Sequence, residues 1–148
     1  MARRLEVAAS FGARFCGLMG RKELPSGSAL WLEPCPSIHM FFMRFAIDVA
    51  FLARPRKGLE GAGRPRPGAR AEVLRVVEGV RPWSGTAASP STGAWWDLWR
   101  PRVAALELPA GTAQELSLRA GDILVVLEES PLEAAAQAAV ERQGAGGT

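Results

Sequence analysis

The strongest constraint on the fold is an apolar run from Ser37 to Phe51 that contains the only histidine of the chain and an aspartate. From Met43 to Phe51 apolar residues recur at every second position, which is typical of a buried strand. Arg44 and Asp48 share the other face but stand about 13 Å apart at roughly 3.3 Å per residue, too far to pair. We therefore expect His39 and Asp48 to be polar anchors with partners elsewhere, or parts of a site.

Short apolar segments between turn signals predict a mainly β protein. We expect strands at residues 3–9, Ala29–Glu33, Glu72–Val80 and Val103–Pro109, and from the Gly121-Asp122 turn through Leu127. We expect helices near residues 11–20, at Thr112–Glu115 and from Ser130 to about Arg142, the last two from capping-box spacing. These elements predict a compact single-domain sandwich or a closed barrel-like sheet with two or three short helices.

The length and composition predict one domain. With 148 residues, 48% of them hydrophobic, the chain can build one core of its own. We expect residues 1–130 to form the mainly β domain. Residues 131–148 then add a C-terminal helix and a glycine-rich tail that we expect to be disordered.

The net charge of +3 is concentrated in one segment. Residues 54–70 hold six basic residues and one acid, and without them 12 Lys and Arg stand against 14 Asp and Glu. Because seven of these seventeen residues are Gly or Pro, we expect a mobile basic loop inserted at the surface. The alternative is an arm from Arg54 to Arg70 that contacts phosphates. No aromatic residue is interleaved with these arginines, so the sequence disfavours a nucleic-acid partner.

Cysteine content and hydropathy disfavour several other classes of protein. Cys16 and Cys35 are too few for a disulfide scaffold, so we expect free thiols in a reducing cytoplasm. Cys35 stands four residues before His39, but zinc needs three or four ligands and no second histidine exists, so we predict no metal site. No segment reaches the roughly 20 apolar residues of a membrane helix, and the N-terminus lacks a secretory apolar core. We expect a cytoplasmic protein with no cofactor and no membrane partner.

Residues 81–102 are rich in tryptophan. Trp83, Trp95, Trp96 and Trp99 stand there among Ser, Pro, Gly and Thr. Such a segment has the backbone preferences of a loop but is too aromatic to float free, so we expect a flap that folds over the sheet. The four rings either complete the core or stack on a flat ligand or a sugar ring.

Several motifs of the chain resemble those of a known family. They are C-G-L-M-G-R from Cys16, S-I-H-M-F-F-M-R-F-A-I-D-V-A-F-L from Ser37, P-W from Pro82, A-L-E-L-P-A-G from Ala105 and A-G-D from Ala120. In this order they are similar to the uncharacterised prokaryotic family called domain of unknown function 192, over most of residues 3–128. The resemblance implies a compact, mainly β domain and no established reaction.

The departures from the family bear on the candidate residues. Ala46 stands where family members commonly carry proline, and the basic loop replaces a short turn. One branch of the family has Trp-Met-Lys-Asn-type residues in place of His39 to Phe42 and keeps the aspartate that matches Asp48. The resemblance therefore shifts weight from His39 toward Asp48, whose short carboxylate can accept backbone N–H bonds and pin a strand or loop.

Three hypotheses about function stay open at this point. The one that we favour is a non-catalytic module for ligand binding or assembly, in which His39, Arg44 and Asp48 orient a small molecule or sugar under the tryptophan flap. The second is a hydrolytic or proton-transfer enzyme with His39 as general base, Asp48 to orient it and Arg44 to stabilise an anion. Cys35 is its candidate thiol partner. The third is nucleic-acid contact through the Arg54–Arg70 loop.

Overall fold

The main feature of the fold is a curled, six-stranded β-sheet. The computed structural model describes residues 4–8, 18–53, 65, 67–88 and 103–127, and within these ranges the chain forms eight strands and one short helix. They are β1 (Arg4–Ala8), β2 (Ser28–Leu32), β3 (Ser37–His39), β4 (Ile47–Ala53), β5 (Arg70–Val80), β6 (Gly85–Ala87), β7 (Val103–Pro109), α1 (Thr112–Glu115) and β8 (Ile123–Val125).

The strand order of the large sheet is β1-β2-β7-β4-β5-β8. β1 runs parallel to β2, and the other neighbours are antiparallel. β3 and β6 form a separate antiparallel ladder. The prediction of a mainly β domain is therefore confirmed. The large sheet is a curled half-barrel, and one short helix is found within the described ranges.

The hydrophobic core has two parts, one on each face of β4. Alternate residues of β4 pack into each part, as the period of an extended strand requires. The part that we call the first core includes Leu18, Leu24, Leu30, Ile38, Met40, Met43, Ile47, Val49, Phe51 and Ala105. The second core includes Trp31, Ala50, Leu52, Val73, Leu106, Leu108, Ala113 and Leu118. Since burying one Val, Leu, Ile or Phe side chain contributes roughly 1.5–3 kcal/mol, both faces stabilise the sheet.

The predicted strands are confirmed in the described part of the chain, with changes at their ends. The strand expected from Met43 begins at Ile47, because Phe42 adopts a left-handed backbone with φ 61° and the chain turns before β4. The last strand ends at Val125 rather than at Leu127. The predicted turn before β8 is confirmed by the bond that Asp122 Oδ2 accepts from the Arg119 amide at 2.8 Å.

The short helix α1 is confirmed, but its predicted capping box is wrong. Thr112 is already helical, and the residue at the N-cap is Gly111, with φ 90° and no side-chain hydrogen bond. A carboxylate from another element supplies the acceptor instead, since Asp48 Oδ2 of β4 accepts the Ala113 amide at 2.9 Å. Sequence spacing could not reveal this cap because it comes from a residue 65 positions away.

Several predictions concern residues outside the described ranges. These are most of the helix at 11–20, the basic loop at 54–64 and 66, the flap residues Trp95, Trp96 and Trp99, and the C-terminal segment 131–148. They stay predictions. Among the residues that the structure describes, no helix is long and apolar enough to span a membrane.

Candidate functional site

Four aromatic side chains lie together at the surface, beside the β3–β6 ladder. We call His39, Phe41, Phe42 and Trp83 the aromatic patch. Phe41 is 50% exposed, Phe42 64% and Trp83 63%. His39, at the end of β3, is also exposed. Large apolar groups grouped at a surface and bordered by polar residues are a feature of interaction sites.

The rings of the aromatic patch contact one another in sequence. His39 stacks on Phe41 with ring centroids 5.3 Å apart and planes inclined by 27°. Trp83 then meets Phe41 at 6.2 Å and 51°, and it meets Phe42 edge-on at 5.0 Å and 61°. These separations and tilts lie within the range that aromatic pairs prefer, so the rings support one another.

Backbone hydrogen bonds around Met40 bring the two halves of the aromatic patch together. The Met40 amide donates to the Ser84 carbonyl at 2.8 Å, and the Trp83 amide donates to the Met40 carbonyl at 2.8 Å. Met40 itself is 1% exposed and packs in the first core. The loop that carries Phe41 is therefore fixed to the loop that carries Trp83 through one buried residue.

Two residues of the aromatic patch have an unusual backbone conformation. Phe42 and Trp83 both have φ 61°, in the left-handed region that bulky L-residues rarely enter. Such strain costs on the order of 1–3 kcal/mol per residue and is most common at binding sites and clamps. Packing also restricts the side chain at the nearby Gly85, because a Cβ there would lie 3.1 Å from the Ile38 carbonyl oxygen. The close approach of the two strands beside the aromatic patch therefore favours glycine at this position.

Two arginines lie close to the aromatic patch in sequence. Arg44 follows Phe42 by two residues, Arg81 precedes Trp83 by two residues, and both arginines are exposed. Aromatic rings and arginine guanidinium groups together are typical of recognition surfaces. His39 and Trp83, both predicted site residues, belong to the aromatic patch, and Arg44, a third, is exposed two residues along the chain from Phe42.

Asp48 is a buried anchor of the sheet. Its side chain is 0% exposed; Oδ1 accepts the Gly79 amide and Oδ2 accepts the Ala113 amide, both at 2.9 Å. Gly79 has φ 60°, so this bond fixes an irregular point of β5. Asp48 therefore ties β4 to β5 and α1, as the sequence predicts for a short carboxylate that accepts backbone N–H bonds.

The structure does not bring Asp48 and His39 together as a catalytic pair. Asp48 alternates with Ile47 and Val49 along β4, so it faces the second core, and Ala113 of that core donates to it. His39 lies between Ile38 and Met40, which pack in the first core on the opposite face. The expectation that Asp48 orients His39 finds no support in this geometry.

The surroundings of Cys35 and the grouping of potential metal ligands are clear for the described residues. Cys35 is half-buried against the first core, and its thiol donates to the Ser37 carbonyl at 3.1 Å. No three His, Cys, Asp or Glu side chains within the described ranges are grouped so that they could hold a metal ion. Cys16 lies outside these ranges.

Glu107 is a buried acid that the sequence reasoning missed. It lies on β7 between Leu30 of β2 and Val49 of β4, is 5% exposed, and its Oε2 has no hydrogen-bond partner among the described residues. Burial raises the pKa of its carboxyl to about 7, against a smaller lowering by Arg21. Alternation in V-A-A-L-E-L-P sets Glu107 opposite Leu106 and Leu108, so the local sequence gave no signal that the face of Glu107 is buried as well.

Arg21 is the charged group whose electrostatic interaction lowers the pKa of Glu107. It forms a salt bridge with Glu6 of β1, with Arg21 Nη2 2.9 Å from Glu6 Oε2. Glu6 is in register with Leu30, and Leu30 is in register with Glu107, so the two acids lie in one row across the sheet. Arg21 thus has one direct carboxylate partner and interacts at longer range with a second one.

Comparisons with known proteins agree with the fold. The model of the family DUF192, described as "Uncharacterized ACR", matches residues 1–59. No curated protein matches the chain. A protein of unknown function from Novosphingobium aromaticivorans DSM 12444 has a TM-score of 0.54 at 19% identity, covering 81% of this chain and 73% of that chain.

A second solved structure gives the same result. It is a protein from Sinorhizobium meliloti 1021 whose name proposes a transcription regulator, with a TM-score of 0.54, 18% identity, and coverage of 82% of this chain and 80% of that chain. At these identities the likeness shows the fold alone. The family match confirms the resemblance that the motifs indicate, and residues 1–59 of this chain are similar to the uncharacterised family DUF192.

Proposed function

We propose that this protein is a non-catalytic binding module whose aromatic patch receives a ring-shaped small ligand, with a sugar as the favoured class. One observation carries the proposal: the ring of Trp83 contacts the rings of Phe41 and Phe42 while each of the three residues is at least half exposed. Leaving three such rings in water forgoes the hydrophobic gain of burying them, roughly 1.5–3 kcal/mol for a phenylalanine. A ligand that covers the rings recovers part of that gain.

The chemistry of the aromatic patch suits a sugar. The apolar C–H face of a pyranose stacks on an indole or phenyl ring, and its hydroxyl groups need hydrogen-bond partners at the edge of the stack. The imidazole of His39 and the guanidinium group of Arg44 can supply them. Two strained residues at the centre, Phe42 and Trp83, hold the rings in place before a ligand arrives, which reduces the entropy cost of binding.

The enzyme alternative draws less support from the structure. The enzyme hypothesis needs Asp48 within hydrogen-bond reach of His39, so that the carboxylate can orient the imidazole. Asp48 uses its two oxygens on backbone amides and faces the other side of β4 from the core residues that flank His39. Contact with nucleic acid through Arg54–Arg70 stays a prediction because most of that loop lies outside the described residues.

The only histidine of the chain makes the proposal directly testable. His39 stacks on Phe41, so the NMR signals of its ring report on the aromatic patch without any label elsewhere. We would titrate the protein with glucose, N-acetylglucosamine and linear oligosaccharides of each. We expect a saturable shift of the His39 signals with at least one of these sugars.

Two variants separate binding at the aromatic patch from unspecific effects. Trp83→Ala removes a ring that is 63% exposed, so it should abolish the sugar response while the fold stays intact. Leu116→Ala, at another exposed apolar side chain outside the aromatic patch, should leave the response unchanged. The proposal is wrong if no sugar shifts the His39 signals, or if Trp83→Ala responds as the unmodified protein does.

A further inference from the structure

Strand β8 forms one edge of the large sheet and carries an apolar surface. Within the described ranges it pairs on one side only, with β5. Ile123 is 49% exposed and Val125 46%, and Leu127 just after the strand is 59% exposed. On the adjoining strand, Leu74 is 42% exposed. An edge strand with exposed apolar side chains is a ready template for pairing with another strand.

Among the residues that the structure describes, the backbone of β8 has no strand partner for the donors and acceptors on its outer side. Asp122 and Val126 bond inward, since the Val73 amide donates to the Asp122 carbonyl and the Val126 amide donates to the Ala69 carbonyl. In an antiparallel ladder the bonding direction alternates along the strand. The amides and carbonyls of Ile123 and Val125 therefore point away from β5, toward the open edge.

We propose that β8 is the docking edge for a second copy of this chain, which adds its own β8 in antiparallel orientation about a two-fold axis. An antiparallel pair of identical strands is self-complementary, because each copy offers the same outward donors and acceptors to the other. The exposed side chains of Ile123 and Val125 then lie beside their equivalents and are removed from water.

Charge on the neighbouring strand favours this partner over an unrelated peptide. On the exposed face of β5, Arg70 is in register with Val125 and Glu72 is in register with Ile123. When Ile123 of one copy pairs with Val125 of the other, each row across the joined sheet begins at Glu72 of one copy and ends at Arg70 of the other. The two-fold axis thus sets opposite charges at the ends of every apolar row.

Two substitutions test the proposal while preserving the ladder between β5 and β8. Val125→Pro removes an outward-pointing N–H and leaves the inward bonds of Asp122 and Val126 in place. Ile123→Lys adds a charge to an exposed side chain of the edge, and two copies then bring like charges together. Leu116→Lys, at an exposed leucine outside β8, is the matched control.

The measurement is the weight-average mass by light scattering or sedimentation, from roughly 10 μM to 1 mM protein, a range that covers weak association. We expect the mass of the unmodified chain and of Leu116→Lys to rise from one chain toward two. The mass of Val125→Pro and Ile123→Lys should stay at one chain. If Val125→Pro fails to fold, as judged by circular dichroism, Ile123→Lys decides alone.

Amide hydrogen exchange provides a second readout at the strand itself. The Val126 amide should be protected at all concentrations because it bonds to β5. The Ile123 and Val125 amides should gain protection only as the dimer forms. A chain that stays monomeric over the whole range overturns the proposal, and so does a dimer that survives in both edge variants or is lost in Trp83→Ala instead.

Discussion

The substitution Glu107→Gln should stabilise the protein above neutral pH and have little effect in acid. Glu107 is buried between two strands, and burial raises the pKa of its carboxyl from 4.5 to about 7. Below pH 4.5 the carboxyl is protonated in both the folded and the unfolded chain, so it adds no pH dependence. Between pH 4.5 and 7 the unfolded chain releases this proton first, and the free energy of unfolding falls as pH rises.

The size of the effect follows from the two pKa values. A difference of one pKa unit corresponds to 1.36 kcal/mol, so a shift from 4.5 to about 7 corresponds to about 3 kcal/mol. Stability that is present below pH 4.5 is thus lost by about pH 7, and no further loss from this group follows at higher pH. Glutamine has nearly the same shape and no proton to release, so Glu107→Gln removes this dependence.

Urea unfolding at pH 5 and at pH 8 measures the prediction. At pH 8 we expect the midpoint of Glu107→Gln to exceed that of the unmodified protein by about 1–3 M urea, for slopes of roughly 1–3 kcal/mol per molar. At pH 5 the difference should fall to about a quarter of that at pH 8, because this pH lies only half a unit above the unfolded pKa of 4.5. Glu115→Gln, at an exposed acid of α1, is the control and should show no such difference. Equal effects of Glu107→Gln at both pH values would refute the reasoning.

Three further substitutions have outcomes that unfolding experiments can check. Arg21→Gln removes the positive charge that lowers the pKa of Glu107, so the pH at which stability stops falling should move upward; an unchanged pH profile would count against this. Asp48→Asn sets an amide group against one of two N–H donors, and should destabilise by about 2–3 kcal/mol at pH 7, whereas a loss below 0.5 kcal/mol would contradict the anchor role. Gly111→Ala forces an alanine to φ 90° and should lower the free energy of unfolding by about 1 kcal/mol or more; a stabilised variant would show that residue 111 does not adopt a left-handed backbone.

Much of the fold could be predicted from local patterns. Alternation and β-branched residues gave the strands, because both express how a pleated strand buries one face or two. The V-A-A-L-E-L-P strand shows the limit of this approach. Its boundaries were predicted correctly, yet the burial of Glu107 depends on two neighbouring strands that local sequence does not identify.

The aromatic patch was predictable only in part. Aromatic content and the single histidine marked Trp83 and His39, but the neighbours Phe41 and Phe42 appeared to belong to an apolar run. Their exposure depends on the left-handed turn at Phe42 and on the Met40–Ser84 hydrogen bond, which joins segments about forty residues apart. Local preference disfavours that turn for a phenylalanine, so only tertiary contacts can establish it.

The anchor Asp48 and the aromatic patch are connected through the end of β5. Asp48 fixes the Gly79 amide, and four residues later the chain reaches Trp83, whose own amide bonds to Met40. A change in the backbone conformation at Gly79 should therefore move the ring of Trp83. We expect Asp48→Asn, at a temperature where it is still folded, to shift the NMR signals of the His39 ring and to weaken any sugar response. Glu72→Gln, at an exposed acid near the other end of β5, should leave both unchanged. Identical His39 spectra in Asp48→Asn and the unmodified protein would show that the anchor supports the fold without positioning the aromatic patch.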